Sequence, residues 1–249
     1  MTGDPSGNRP GGCRIVPKPV MIITLRAGMI DMSTIQSPGT AYPLAEEITN
    51  AVTHGLGAVA AIVGLTLLLA KGIPVLSGWE LAGIAIYGGS LVSLFLASTL
   101  YHAIMNPRAK EILKRVDHGT IYVLIAATYT PFMSIALHST AAHVLLAVVW
   151  PLAAAGVIFK IFFVHRFRWL SLSSYLIMGW LAIFVVYELY YALPKAGFVL
   201  LIAGGVCFTL GTVFYAMKSM RYTHAIWHLW VVAGSACHCV AIGAYVIPQ

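Results

Sequence analysis

Seven runs of mainly apolar residues, near 49–70, 79–104, 117–137, 141–163, 169–192, 196–217 and 223–247, constrain this chain more than any other feature. Each holds roughly twenty residues, the length an α-helix needs to cross the hydrocarbon core of a bilayer. Backbone N–H and C=O groups find no water there, so a spanning segment must satisfy them internally, as a helix does. Composition agrees. Only 9% of residues are charged and 59% are hydrophobic, whereas a soluble domain carries about 25% charged residues. The expected fold is therefore an all-α integral membrane protein, a bundle of seven transmembrane helices whose short connections make consecutive helices antiparallel neighbours. Pro131 and Pro151 fall inside spans, where neighbouring helices can satisfy the carbonyl that a proline frees.

Residues 1–42 differ in kind from 43–249. Met1 to Pro19 is rich in Gly, Pro and Arg, the composition of a flexible tail. The apolar run Val20–Leu25 is too short to span, and it lacks the core and small-residue cleavage site of a signal peptide. The four cysteines, Cys13, Cys207, Cys237 and Cys239, form no disulfide framework or metal-binding pattern.

Thirteen of the fifteen Lys and Arg residues lie on one side of the spans. They are Arg9, Arg14, Lys18 and Arg26 in the tail, Arg108, Lys110, Lys114 and Arg115 between spans two and three, Lys160, Arg166 and Arg168 between four and five, and Lys218 and Arg221 between six and seven. Lys71 and Lys195 lie on the other side. The positive-inside rule then places the N-terminus in the cytoplasm and the C-terminus outside. No nucleic-acid partner is expected. Membrane lipid is both the environment and a possible substrate.

With the topology set, buried polar residues can be compared by depth. The second span ends Ser98-Thr-Leu-Tyr-His102, with Ser98 and His102 four apart on one helix face. The third begins with Asp117-His118. The seventh begins with His224 and His228, again four apart. All five of Ser98, His102, Asp117, His224 and His228 therefore fall in one slab at the cytoplasmic end. Three neutral imidazoles with an open fourth position are the pattern of a catalytic zinc. Such a zinc acidifies a bound water, and Asp117 is placed to orient it and act as general base. Ser98 would bond a ligand imidazole or a substrate carbonyl. A His-Glu-x-x-His peptidase is excluded, because Ala225 stands where the glutamate belongs.

Plainer readings of the same residues stay open. His224 and His228 read either as a metal grip or as hydrogen-bonded interfacial histidines. Asp117 also reads as the N-cap of the third helix, a position that favours a carboxylate. His118 points about 100° away from Asp117 and reads as supporting or interfacial. His238 lies about 15 Å beyond His228 along the axis and reads as a buried, hydrogen-bonded histidine. Glu46, Glu47, Asn50 and His54 open the first span. Asn50 and His54 share a face that Glu47 can join, and they read as support around the zinc, as a fourth ligand from His54, or as an interhelical polar contact; Glu46 reads as helix capping. Thr128 to Pro131 read as cavity lining or as a proline bend. His138, His143 and His165 fall at span edges and read as solvated.

Together these motifs resemble the hemolysin III family, the bacterial branch of the progestin and adipoQ receptor superfamily that includes the adiponectin receptors. They are Glu46-Glu-Ile-Thr-Asn-Ala-Val-Thr-His-Gly55, Ser98-x-x-x-His102, Asp117-His118 with Tyr129-Thr-Pro-Phe132, and His224-Ala-Ile-Trp-His228 with His238. The resemblance covers roughly residues 42–249. It implies seven helices, a cytoplasmic N-terminus and a zinc near the cytoplasmic face of a bacterial plasma (inner) membrane. By that resemblance His102, His224 and His228 are the zinc ligands, Asp117 holds the zinc-bound water, and Ser98 is the family's second-helix serine. The superfamily is similar to alkaline ceramidases, whose proposed chemistry is zinc-assisted hydrolysis of a lipid amide, and some bacterial members are linked to membrane-lipid homeostasis. The expected function is zinc-dependent hydrolysis of a lipid amide or ester. A membrane-state sensor with structural zinc and a pore-forming hemolysin are the other readings.

Overall fold

A computed structural model describes residues 42–217 and 220–248. The tail residues up to 41, with Cys13 and four of the basic residues, and Lys218 lie outside the described residues. Seven helices have the length and apolarity to cross a membrane: α1 Leu44–Gly72, α2 Gly78–Ala103, α3 Pro107–Ala136, α4 Thr140–Phe163, α5 Arg168–Ala192, α6 Lys195–Ala216 and α7 Thr223–Val246. There is no strand among the described residues. The chain is a multi-pass all-helical membrane protein. Five helices end within a residue of the bounds expected from hydropathy, but α1 and α3 begin earlier, at Leu44 and Pro107.

The early start of α3 corrects one reading. Asp117 is not its N-cap. Asn106 is, with its Oδ1 accepting from the N–H groups of Arg108 and Ala109, and Pro107 occupies the first helical position, where a missing N–H costs nothing. The first ten residues of α3 carry Arg108, Lys110, Glu111, Lys114 and Arg115, so hydropathy registers the helix only after that charged turn. Glu46 does not cap α1 either. Pro43 precedes that helix, with no side-chain cap, and Glu46 is buried.

The helices follow one another around the bundle, and α1 packs on α7 to close the ring, with α5 touching α3, α4 and α6. The first two helices each turn a polar-containing stripe inward and an apolar face outward. In α1, Glu47, Asn50, His54, Gly57 and Ala61 form a buried stripe, while Ile48, Val52, Leu56, Val59 and Val63 are exposed. In α2 the buried stripe runs Leu91, Leu94, Phe95, Ser98, Tyr101 and His102. Helices in lipid approach closely where residues are small. At Gly156 of α4 an added Cβ would lie 2.3 Å from the Tyr122 ring of α3, so only glycine admits that tyrosine.

Three departures from α-helix shape the bundle. After Pro131, α3 ends in a π-helical turn, Phe132–Ala136. The last turn of α7, Ile242–Val246, is also π-helical, and Lys71 Nζ donates to the Gly243 carbonyl there. In the middle of α5 the chain tightens to a 3-10 turn, Leu181–Val185. Tyr129 of α3 serves that break. Its hydroxyl lies 2.8 Å and 2.9 Å from the Met178 and Gly179 carbonyls and accepts from the Ala182 N–H at 2.9 Å. Irregular backbone at membrane depth is tolerated where such partners exist.

Candidate metal centre

α7 begins with Tyr222, whose φ of 60° is left-handed, a strained state for a bulky residue. Thr223 fixes this entry by donating to the Met217 carbonyl at 2.7 Å. The turn delivers His224 and, one turn later, His228 into the bundle, opposite His102 at the end of α2. The three ring centroids lie 4.6 Å (His224–His228), 5.2 Å (His102–His224) and 5.2 Å (His102–His228) apart. One nitrogen from each ring lies within 4.8 Å of the other two. His102 and His228 are fully buried.

Hydrogen bonds decide which nitrogens face the centre. His102 Nδ1–H donates to Glu47 Oε2 at 2.6 Å. That leaves Nε2 a bare acceptor, and it is buried with no hydrogen-bond partner among the described residues. His228 Nδ1–H is shared between Thr53 Oγ1 at 3.1 Å and the Asn50 carbonyl at 3.2 Å. Its Nε2 is therefore bare as well. A histidine held through one nitrogen by a carboxylate or a carbonyl, with the other bare, is how metal-binding imidazoles are oriented. Bare lone pairs converging in a buried place repel unless a cation sits between them. The His102, His224 and His228 group can hold a metal ion.

Around this group stand residues that hydropathy alone left in loops or tail. Glu47 is completely buried and also pairs with Lys110 Nζ at 3.1 Å, while Lys110 donates to the Tyr101 carbonyl at 2.8 Å. Lys110 had counted only as one of the basic residues between spans. It belongs to the first turn of α3, and the Asn106-Pro107 pair is the sequence signal that would have placed it there. Glu47 stands three and seven residues before Asn50 and His54, a helical spacing that marks all three as one face. Tyr42, the last residue of the expected tail, stacks on His224 with centroids 5.0 Å apart. His54 stacks on His228 at 3.5 Å with the rings 11° from parallel, and it is not among the grouped ligands. Its two nitrogens and both polar atoms of the Asn50 side chain are buried without a hydrogen-bond partner among the described residues.

Asp117 and Ser98 face the same space from α3 and α2, and the serine hydroxyl approaches the aspartate carboxylate. His118 donates from Nδ1 to the Lys114 carbonyl at 2.8 Å and also reaches the cavity wall. The cavity, of about 140 Å³, runs from His224, His228, Asp117 and Ser98 between α3, α5, α6 and α7 to Phe208 and His238. Thr128 and Tyr129 line it, so that stretch serves as wall as well as preceding the Pro131 bend. His238 is buried and hydrogen-bonded to the Leu201 carbonyl at 3.1 Å, as its position in α7 implied. His138, His143 and His165 are exposed.

The family description "Haemolysin-III related" matches residues 42–239. The chain belongs to this family. It is 47% identical over 195 residues to the hemolysin-3 homolog of Bacillus subtilis strain 168, covering 78% of this chain and 92% of that protein. It is 43% identical over 203 residues to hemolysin-3 of Bacillus cereus, covering 82% and 93%. The monocyte to macrophage differentiation factor of Homo sapiens is 32% identical over 208 residues, covering 80% and 84%. The matched region begins at Tyr42, the residue stacked on His224, and it takes in every side chain of the histidine group and its carboxylate.

Proposed function

We propose that this family member is a zinc-dependent hydrolase of a lipid amide or ester. It works within a bacterial plasma (inner) membrane, with its N-terminus and the histidine group toward the cytoplasm. One observation carries the reading. A buried three-histidine group opens directly onto a largely apolar cavity that has one carboxylate, Asp117, at the junction. Three histidines with room for a further ligand suit zinc. When bound, zinc supplies Lewis acidity, polarising a carbonyl and acidifying water. Asp117 accepts the proton that water loses as it attacks the carbonyl carbon, and returns it to the leaving amine or alcohol. Ser98 holds the carboxylate in line for that transfer. The acyl chain lies along the Leu124, Ile125, Leu176 and Phe208 wall. The concentration of Lys and Arg at the histidine end supports the cytoplasmic placement.

The test uses purified full-length protein, wild type and Asp117→Asn, with zinc counted per chain and hydrolysis of amide- and ester-linked lipids followed. The expected result is about one zinc in both proteins and hydrolysis by the wild type alone. A second reading is a membrane-state sensor with structural zinc. It is favoured by the Glu47, Lys110, Asn50 and Thr53 contacts, which already tie α1, α2, α3 and α7 together. It requires Asp117→Asn to keep both zinc and function. The names of the Bacillus relatives suggest cytolysis, but a pore needs a polar path. Glu80, an acidic residue at the other end of the bundle, is occupied in a capping box with Ser77.

A further inference from the structure

Away from the histidine group, two buried side-chain atoms of α7 have no hydrogen-bond partner among the described residues, Ser235 Oγ and His238 Nδ1. Both side chains are more than nine-tenths buried. The chemistry of His238 is fixed by its neighbours. Its Nε2 lies 3.1 Å from the Leu201 carbonyl, which accepts and cannot donate, so Nε2 carries the proton and Nδ1 is a bare acceptor. The ring cannot turn toward α6, because it lies against Gly204 so closely that a Cβ there would be 2.3 Å from its Cδ2 and Nε2. Phe132 and Phe208 stand 6.3 Å and 5.6 Å from the ring centroid. A buried acceptor with no donor is rare in native interiors and marks a place where a donor arrives from elsewhere.

His238 and Phe208 line the same cavity as His224 and His228. Ser235 sits three residues before His238, on the same face of α7 and one turn nearer the histidine group. At the rise of an α-helix, Ser235 and His238 lie about 10 Å and 15 Å beyond His228. We propose that His238, on the cavity wall, and Ser235, one turn before it on the same helix face, form a second polar subsite at this end of the cavity. It takes a hydroxyl carried in mid-chain by an amphiphile whose head group lies at the histidine group. The hydroxyl donates to His238 Nδ1 and accepts from Ser235 Oγ–H, so one ligand group satisfies both atoms. The aromatic neighbours favour a neutral hydroxyl over a charged group. The inference rests on the lipid reading of the cavity and not on hydrolysis.

The test is binding of 12-hydroxystearate and of stearate to the purified full chain in detergent, read by thermal stabilisation. The wild type should hold the hydroxylated acid roughly five- to ten-fold more tightly. Ser235→Ala and His238→Phe should each bring the two affinities together, and the serine variant removes one small group, so it tests the idea even where the histidine variant misfolds. Equal affinity of the two acids for the wild type, binding of neither, or a preference that survives both substitutions would each overturn the proposal. Equal affinity would mean that the pair holds only water. A failed zinc reading weakens both carboxylate probes alike and leaves their difference intact, so the two failures are distinguishable.

Discussion

The two sides of the cavity are built differently. On one side α1, α2, α3 and α7 carry the histidine group and its supports. On the other, α5 and α6 form a wall facing lipid. On the first side the buried share of the membrane-length window is 56% in α2 and α3, 39% in α7 and 28% in α1; in α5 and α6 it is 22%. The first side is fixed by short charged contacts, Glu47 to His102 at 2.6 Å and to Lys110 at 3.1 Å. The second is joined by the neutral bond of Trp180 Nε1–H to Thr209 Oγ1 at 3.0 Å and by the Arg168 guanidinium on the Tyr215 carbonyl, and one of its helices is broken at Leu181–Val185. Charged groups are costly in lipid unless paired, so the buried ion pairs centred on Glu47 mark where a fixed geometry is needed. On the proposed reading, the thin wall is where a lipid chain is admitted without disturbing that geometry.

The sharpest way to break this contrast is to remove a ligand. His228→Ala should take zinc from about one per chain to none, by elemental analysis, and should abolish hydrolysis on the proposed reading. Zinc retained at wild-type level in both His228→Ala and His102→Ala would show that these rings do not hold it. Next comes Glu47→Ala. It frees His102 to rotate and leaves Lys110 buried without its counter-charge, which should cost about 3–5 kcal/mol and weaken metal binding by about 10- to 100-fold. Lys110→Met should cost less, since Glu47 keeps His102. Denaturation and metal competition on the two variants measure the asymmetry, and equal losses would mean that the carboxylate acts only as the lysine's partner.

That ordering was half visible in the sequence. Helical spacing and the depth of three separate segments brought His102, His224 and His228 together, with Ser98 and Asp117 beside them, because a period of 3.6 and a count of residues suffice for that. Glu47 and Lys110 were harder. Hydropathy registers apolar residues, and the charged first turns of α1 and α3 carry too few, although Asn106-Pro107 does mark the start of α3. Tyr42 was assigned to the tail for the same reason. The break in α5 has only a weak local mark, Gly179. No proline or polar cluster stands at Met178 to Ala182, and the turn exists because Tyr129 arrives from another helix to serve its carbonyls and N–H. The π turn after Pro131 could be read as a bend, while the one at Ile242–Val246 has no such signal.

A milder perturbation reaches the wall alone. Tyr129→Phe removes the hydroxyl that accepts from Ala182 N–H and serves the Met178 and Gly179 carbonyls, leaving buried backbone groups unsatisfied at about 1–3 kcal/mol. Hydrogen exchange should rise in α5 around 178–185 while zinc content stays at the wild-type value. Loss of zinc in this variant would show the two sides to be one unit.

The smallest effect is expected at Trp180 and Thr209. Thr209→Val keeps the shape of the side chain and deletes the acceptor of the Trp180 Nε1–H bond, one of the links between α5 and α6 beside the cavity. Trp180 lies at the middle of α5 and is 39% exposed, and the loss of one neutral hydrogen bond there should cost about 0.5–1.5 kcal/mol. The informative reading is kinetic. If the wall admits lipid, loosening this bond should speed the uptake of a fluorescent fatty-acid probe by the purified protein. Zinc content and the affinity ratio of the two stearates should stay unchanged, because neither depends on that bond. Uptake at the wild-type rate would place the entrance elsewhere on the bundle, and a fall in zinc would show that α5 and α6 help to hold the histidines after all.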